Sequence, residues 1–82
     1  MEVIPNSRLE LLSEMEESYE RKDKDYFLHL LDHKDFVIRT RAVCILVDLG
    51  GEEMVPHIAG VLKNDSNELV RHEAAFSLGQ MC

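Results

Sequence analysis

The sequence contains an internal repeat, and this repeat limits the architectures that the chain can adopt. Residues 36–50 (FVIRTRAVCILVDLG) and residues 68–82 (ELVRHEAAFSLGQMC) align at an offset of 32 residues, so that Arg39 falls on Arg71. The stretch before each copy repeats as well, as FLHLL and IAGVL. A period of about 20–50 residues is typical of stacked supersecondary units. We therefore expect a repeat protein that presents an extended surface, and not one closed globule.

The spacing of apolar residues predicts an all-α fold. Apolar side chains recur at helical intervals, and no stretch shows the sustained period of two that is typical of strands. The first helix has the apolar stripe Leu9, Leu12, Met15 and Tyr19. These patterns predict helices over about 8–21, 24–32, 36–49, 53–63 and 68–81.

Residues at the ends of these segments support the same helices. Asn6, Ser7 and Asp23 are residue types that cap helix N-termini, and Ser7 has capping-box spacing to Glu10. Gly50–Gly51 follows the third helix, where glycine commonly ends a helix. Pro56 is tolerated in the first turn of the fourth helix, because the N–H that proline lacks has no partner there.

The segment 42–47 is apolar on all sides of its helix, which predicts a central helix covered by several neighbours. Cys44 lies in this segment, so we expect it to be a buried, reduced core residue. The chain has two cysteines and no CxxC pair. This usage favours a reducing, cytoplasmic location.

Composition limits the classes of partner. The 82 residues form one domain with a formal net charge of −7, and acidic residues crowd the segment 10–25. Only nine basic residues are present, so we expect neither nucleic acid nor an anionic membrane as partner. The N-terminus does not have the pattern of a secretory signal, and no apolar run reaches the length of a membrane span. The acidic segment is either a solvated face or a docking site for a basic partner.

Three segments carry a resemblance to a known family: VIRTRAVCILVDLG, MVPHIAGVLKND and LVRHEAAFSLGQM. They resemble short HEAT-like repeats of the phycobilisome-lyase type, over roughly residues 23–82. The resemblance implies a right-handed α-solenoid of helix pairs with about five helices. It divides the single domain, 1–82, into an N-terminal helix (1–22), a first B–A unit (23–51) and a second B–A unit (52–82).

The same resemblance assigns a structural role to the repeated arginines. In HEAT-like repeats such an arginine pairs with aspartates in a ladder between units, which implies this role for Arg39, Arg71 and Asp65. The first copy departs from the family pattern in two places. Val47 replaces an internal glycine, and His33 stands where Asp65 would predict an acid.

The resemblance also implies a binding face, because B helices line the concave side of such a superhelix. Once core positions are removed, the outward residues of the two B helices correspond between units: Lys22 with Glu53, Tyr26 with His57, His29 with Gly60, and His33 with Asn64. Exposed tyrosine and histidine combine contact area with polar tips, and glycine permits close backbone approach. We call these eight residues the B-helix column.

The leading hypothesis is a non-catalytic scaffold that mediates protein–protein interaction through the B-helix column, without a cofactor or metal. The helix over 68–81 carries many apolar residues for a chain end. Either further repeats or a second copy, in a dimer formed through this helix, should cover it, or the helix folds back differently. The alternative is an enzyme. His72–Glu73 is similar to the His-Glu motifs of deoxyhypusine hydroxylase, a di-iron HEAT-repeat enzyme whose site uses four such dyads. This chain has one dyad, and the other copy has Thr40–Arg41 at the equivalent positions.

Overall fold

A computed structural model describes residues 7–81. No strand occurs within that range, which confirms the all-α fold class. The capping role predicted for Asn6 and for the Ser7 side chain lies outside the described residues. The α-helices are α1 (Ser7–Glu20), α2 (Lys24–Leu30), α3 (Phe36–Gly50), α4 (Val55–Asn64) and α5 (Glu68–Met81), and a 3₁₀ turn (Gly51–Met54) precedes α4.

Short polar side chains begin three of the helices. Asp23 accepts a hydrogen bond from the N–H of Tyr26 at the start of α2, as the sequence predicts. Asp35 accepts from the N–H of Val37 at the start of α3. Asn67 accepts from the first turn of α5. These bonds satisfy backbone donors that have no partner within the helix.

Gly51 ends α3 and turns the chain into the next unit. Its φ of 69° lies in the left-handed region that glycine adopts without steric penalty. The adjacent Gly50 could not carry a side chain, because a Cβ there would overlap the side chain of Met54. The Gly50–Gly51 pair therefore ends the helix as predicted and also lets the 3₁₀ turn pack closely.

Helix α3 is the centre of the molecule. It packs against α1, α2 and α5, and it contributes four fully covered side chains, as the apolar run predicts. The core continues into α4 and α5. Its buried apolar residues are Met15, Phe27, Leu30, Ile38, Ala42, Val43, Leu46, Met54, Ile58, Val61, Val70 and Ala74.

The prediction that Cys44 is a core residue is wrong. Cys44 is exposed, and its thiol donates a hydrogen bond to Glu73 Oε2 at 3.1 Å. An apolar run cannot reveal which side of a central helix lacks a neighbour. Here the flanking helices α1 and α5 leave one strip of α3 open to solvent, and Cys44 lies on it.

The buried side of α1 also differs from its apolar stripe. Met15 is buried and Leu12 is half-buried, whereas Leu9 and Tyr19 are exposed. Ser18 is buried in their place, and its hydroxyl accepts a hydrogen bond from Arg21. Helix α1 lies at one end of the described stack against α3, so only part of its stripe finds a surface to cover it.

Two bidentate arginine–aspartate pairs join consecutive A helices, α1 to α3 and α3 to α5. Arg39 Nε and Nη2 donate to Asp65 Oδ2 and Oδ1 at 2.8 and 3.0 Å. Arg8 donates to Asp35 in the same way, at 2.7 and 2.9 Å. Two parallel charged hydrogen bonds fix orientation as well as distance. Each pair therefore fixes the orientation of one unit relative to the next.

Asp35 compensates for the histidine at position 33, where the family pattern predicts an acid. In the second unit Asp65 accepts the N–H of the cap residue Asn67. In the first unit His33 Nδ1 accepts the N–H of the cap residue Asp35 at 2.9 Å. Asp35 is thus both the helix cap and the partner of Arg8. The acid that the family pattern places at His33 has moved two residues along the loop.

The pairs differ in burial, and this affects their electrostatics. The Asp65 side chain is only 6% exposed and that of Arg39 13% exposed, whereas Arg8 is half exposed. Burial would raise the pKa of Asp65, but the hydrogen bonds from Arg39 and Asn67 outweigh it and hold the pKa below its ordinary value. The hydrogen bond from Arg8 lowers the pKa of Asp35.

Candidate binding surface

A groove runs between α2 and α4, the two B helices. It has a volume of about 500 Å³. Residues from both helices line it, so each repeat unit supplies one wall. The lining combines apolar side chains with histidine, amide and carboxylate groups, namely Leu28, His29, Leu31, Asp32, His57, Gly60, Val61, Asn64 and Asp65.

Four residues of the B-helix column meet in this groove. They are His29 from α2, and His57, Gly60 and Asn64 from α4. Both histidines are exposed, as is Asn64. A Cβ on Gly60 would have no atom within 4 Å, so the glycine leaves open space at the wall. A ligand backbone can therefore approach the α4 main chain closely at this point.

Tyr26 does not point into the groove. Its hydroxyl donates to Glu14 Oε1 on α1 at 3.2 Å, and its ring packs edge-on against Phe27. Burial and the Glu14 carboxylate raise the pKa of Tyr26 to about 12. The helical register alone could not show this, because a tyrosine at the edge of a helix can turn toward either neighbour. Tyr26 joins α2 to α1 and is not the exposed contact that the sequence predicts.

The other three column residues also lie outside the groove. Lys22 is in the turn between α1 and α2, with a φ of 57°. His33 accepts the backbone N–H of Asp35 in the next loop. Glu53 pairs with Lys24, and this exposed pair joins the starts of α2 and α4. Lys24 was not among the residues predicted from the sequence.

A second groove, which was not predicted from the sequence, lies between α1 and α3. Its volume is about 560 Å³. Apolar side chains contribute most of its wall, and Arg41 and Glu16 add charge. The exposed members of the α1 stripe could have indicated it, because Leu9 and Tyr19 have the helical spacing of a face that packs. The lining residues are Leu9, Leu12, Ser13, Met15, Glu16, Tyr19, Arg41 and Ile45.

The His72–Glu73 pair does not form a metal site by itself. The two residues are consecutive on α5, so their side chains leave the helix about 100° apart. His72 is exposed, while Glu73 accepts the Cys44 thiol hydrogen bond. Across residues 7–81, no group of three or more histidine, cysteine or acidic side chains could hold a metal ion. The donor set therefore does not fit a dimetal centre.

The described helices set one further limit. None of them is long and apolar enough to cross a membrane.

Comparison with known proteins gives a family and one relative. The model of the HEAT repeat family matches residues 5–79. Deoxyhypusine hydroxylase from Dictyostelium discoideum is 45% identical over 47 residues, which cover 57% of this chain and 15% of that protein. The matched part is thus a small fraction of the relative. No solved structure matches significantly. The extent of the family match, together with the all-α fold and the repeated arginine–aspartate pairs, shows that the chain belongs to the HEAT repeat family.

Proposed function

We propose that this HEAT-repeat chain is a non-catalytic scaffold that binds a protein segment in the α2–α4 groove. One observation carries the proposal: His29, His57, Gly60 and Asn64, from two successive units, line one open groove. HEAT repeats form surfaces of this kind by stacking helix pairs. The right-handed sense of the solenoid and a cytoplasmic location belong to the same proposal.

The chemistry of the groove favours a peptide-like ligand. Leu28, Leu31 and Val61 supply apolar contact, while the histidines and Asn64 offer polar groups to backbone amides. The open wall at Gly60 suits a ligand whose main chain lies against α4. Apolar area with a few placed polar groups is the usual composition of binding clefts.

The test uses two glycine variants with the same expected effect on helix stability. Gly60→Ala and Gly79→Ala both place a methyl group in open space within a helix. Each should stabilise its helix by roughly 0.5–1 kcal/mol. Only Gly60→Ala alters the groove, and a double variant His29→Ala, His57→Ala removes both imidazoles from it.

Proteins retained by the wild-type chain from an extract of its source cells would be quantified for each variant. Affinities of the retained proteins would then be measured by calorimetry. We expect a partner whose affinity falls at least tenfold with the double histidine variant and with Gly60→Ala, and is unchanged with Gly79→Ala. A partner whose affinity is the same for all four chains would place binding outside this groove.

The match to deoxyhypusine hydroxylase supports a second candidate, a part of a metal-dependent enzyme in which His72 and Glu73 act. Because one dyad cannot close a dimetal site, a facing half would have to supply the remaining ligands. Ferrous iron bound per chain, measured for wild type and for His72→Ala, tests this candidate. Stoichiometric iron that His72→Ala removes would favour the enzyme; iron that survives the substitution would exclude it.

A further inference from the structure

The groove between α2 and α4 contains a carboxylate that the described chain does not neutralise. Two acidic side chains line the groove, Asp32 and Asp65. Asp65 is bound by Arg39 through both of its oxygens. Asp32 is exposed, and its side chain takes part in none of the salt bridges or hydrogen bonds within residues 7–81. Both Asp32 oxygens are therefore available to a ligand.

The groove contains no basic side chain that could balance this charge. Among the described residues that line it, none is lysine or arginine. Helix α4 ends in the groove at Asn64. The carbonyl groups of a last helical turn have no partner within the helix and carry partial negative charge. The end of the groove that holds Asp32 and Asn64 is therefore electronegative.

The wall beside Asp32 is apolar. Leu31 precedes Asp32 directly, and Leu28 lies one helical turn before it. Both leucines line the groove and are half-buried, and Val61 lines it from α4. A long side chain that ends in a cation can lay its methylene groups on such a wall while its charged head stays in a polar position. Arginine and lysine are the side chains of this kind.

We propose that the protein segment bound in the α2–α4 groove carries an arginine or lysine whose cation pairs with Asp32. This inference rests on the function proposed above and adds the chemical character of the ligand. Arginine should bind more tightly than lysine, because a planar guanidinium can donate to both carboxylate oxygens. The net charge of −7 also attracts basic segments, but it is spread over the chain and does not select Asp32.

The test uses capped nonapeptides as probes at pH 8, where an unperturbed histidine is neutral. One pool has arginine at the central position, and a matched pool has citrulline there, which has the same shape without the charge. All other positions are random but exclude charged residues. Peptides retained by the full 82-residue chain are sequenced, and their affinities are measured by calorimetry for wild type and variants.

Two variants remove the same charge from the first unit. Asp32→Asn changes the groove, whereas Asp25→Asn changes an exposed carboxylate of α2 that does not line it. Neither side chain is buried, so both variants should fold as wild type does, and circular dichroism checks this. The double variant His29→Ala, His57→Ala shows whether a given peptide lies in the groove.

We expect the arginine peptides to bind wild type about tenfold more tightly than their citrulline forms do, the usual effect of one hydrogen bond to a charged group. Asp32→Asn should weaken the arginine peptides about tenfold and leave the citrulline peptides unchanged, because only the former make the pair. Asp25→Asn should change either affinity less than about twofold in physiological salt, since its charge is screened from the groove.

Three results would overturn the inference. Peptides that need both histidines but bind Asp32→Asn as tightly as wild type would overturn it and leave the proposed function of the groove intact. Equal losses with Asp32→Asn and Asp25→Asn would do the same, because net charge alone would then explain the preference for arginine. Peptides that are insensitive to the histidine variant, or a chain that retains no peptide, would contradict both proposals.

Discussion

Arg39 makes two different kinds of contact, and the two kinds should contribute differently to stability. One nitrogen holds the loop of its own unit through a carbonyl oxygen. The other two bind a carboxylate of the next unit, where the next unit is present. Arg39 makes both contacts, whereas Arg71 makes only the first within the described chain. Comparing Arg39 with Arg71 therefore separates the carbonyl contact from the carboxylate pair.

Arg39→Ala is expected to lower the free energy of unfolding by roughly 3 kcal/mol, because it leaves the Asp65 carboxylate without its partner in a largely covered site. Arg71→Ala should lower it by about 1–2 kcal/mol, the typical contribution of a charged donor to one carbonyl. Urea unfolding followed by circular dichroism measures both values. Equal losses would show that the Asp65 pair adds nothing beyond the loop contact.

The sequence predicted the ladder residues only where the repeat is regular. Arg39, Arg71 and Asp65 follow from the resemblance to HEAT-like repeats, and the structure pairs Arg39 with Asp65. Arg8 was missed because it follows Ser7, whereas the repeated arginines follow the apolar residues Ile38 and Val70. Asp35 was missed as a partner because the ladder acid is shifted by two residues, and only three-dimensional contact shows that the shifted acid still reaches Arg8.

Cys44 is exposed but should react slowly. Burial of part of the side chain and the Glu73 carboxylate raise the pKa of its thiol to about 11, so little thiolate exists near neutral pH. We expect iodoacetamide at pH 8 to label the Cys44 peptide at least tenfold more slowly in the folded chain than in urea, as measured by mass spectrometry. Glu73→Gln, which removes the negative charge, should speed labelling. Equal rates in the folded and unfolded chains would contradict the raised pKa of the thiol, and an unchanged rate in Glu73→Gln would contradict the role of Glu73.

At the scale of the elements, the positions of the helices could be predicted from the sequence, but the faces by which they pack could not. Local spacing and capping residues such as Asp23 fix where a helix begins. Which side is covered depends on neighbours distant in sequence. That is why Tyr26 turned toward α1, and why Leu9 and Cys44 remained exposed. The groove between α2 and α4 was partly predictable because helices at equivalent repeat positions lie side by side.

The turn between α1 and α2 contains a local strain that one substitution can relieve. Lys22 has a φ of 57°, the only positive φ at a non-glycine position among the described residues. In this left-handed conformation a residue with a Cβ destabilises the folded chain by about 1 kcal/mol relative to glycine. Lys22→Gly should therefore raise the free energy of unfolding by about 0.5–1 kcal/mol. An increase in the thermal unfolding temperature would confirm this. Lys63→Gly, within α4, should lower the unfolding temperature instead.

At the scale of the whole molecule, the described chain is a flat stack of 48 × 28 × 15 Å. A stack of this shape has much surface for its volume, so its core contributes less than that of a round domain of equal length. Contacts between units must therefore supply the stability that the smaller core does not. Carboxylates supply the polar part of those contacts, at Asp35 between α1 and α3 and at Asp65 between α3 and α5.

The stack should therefore lose stability in acid. The folded pKa values of Asp35 and Asp65 are lowered by their arginine partners, so the folded chain binds fewer protons than the unfolded chain. Their contribution is complete above the unfolded pKa, about 3.9, and is lost as pH falls through the folded values. Unfolding in urea, repeated at steps from pH 6 to pH 2.5, should show a free energy that declines below about pH 4. Asp65→Asn should be less stable at pH 6 and less sensitive to acid, because it carries no proton-linked group at this pair. If Asp65→Asn and wild type lose stability in parallel across the range, the acid response arises elsewhere in the chain.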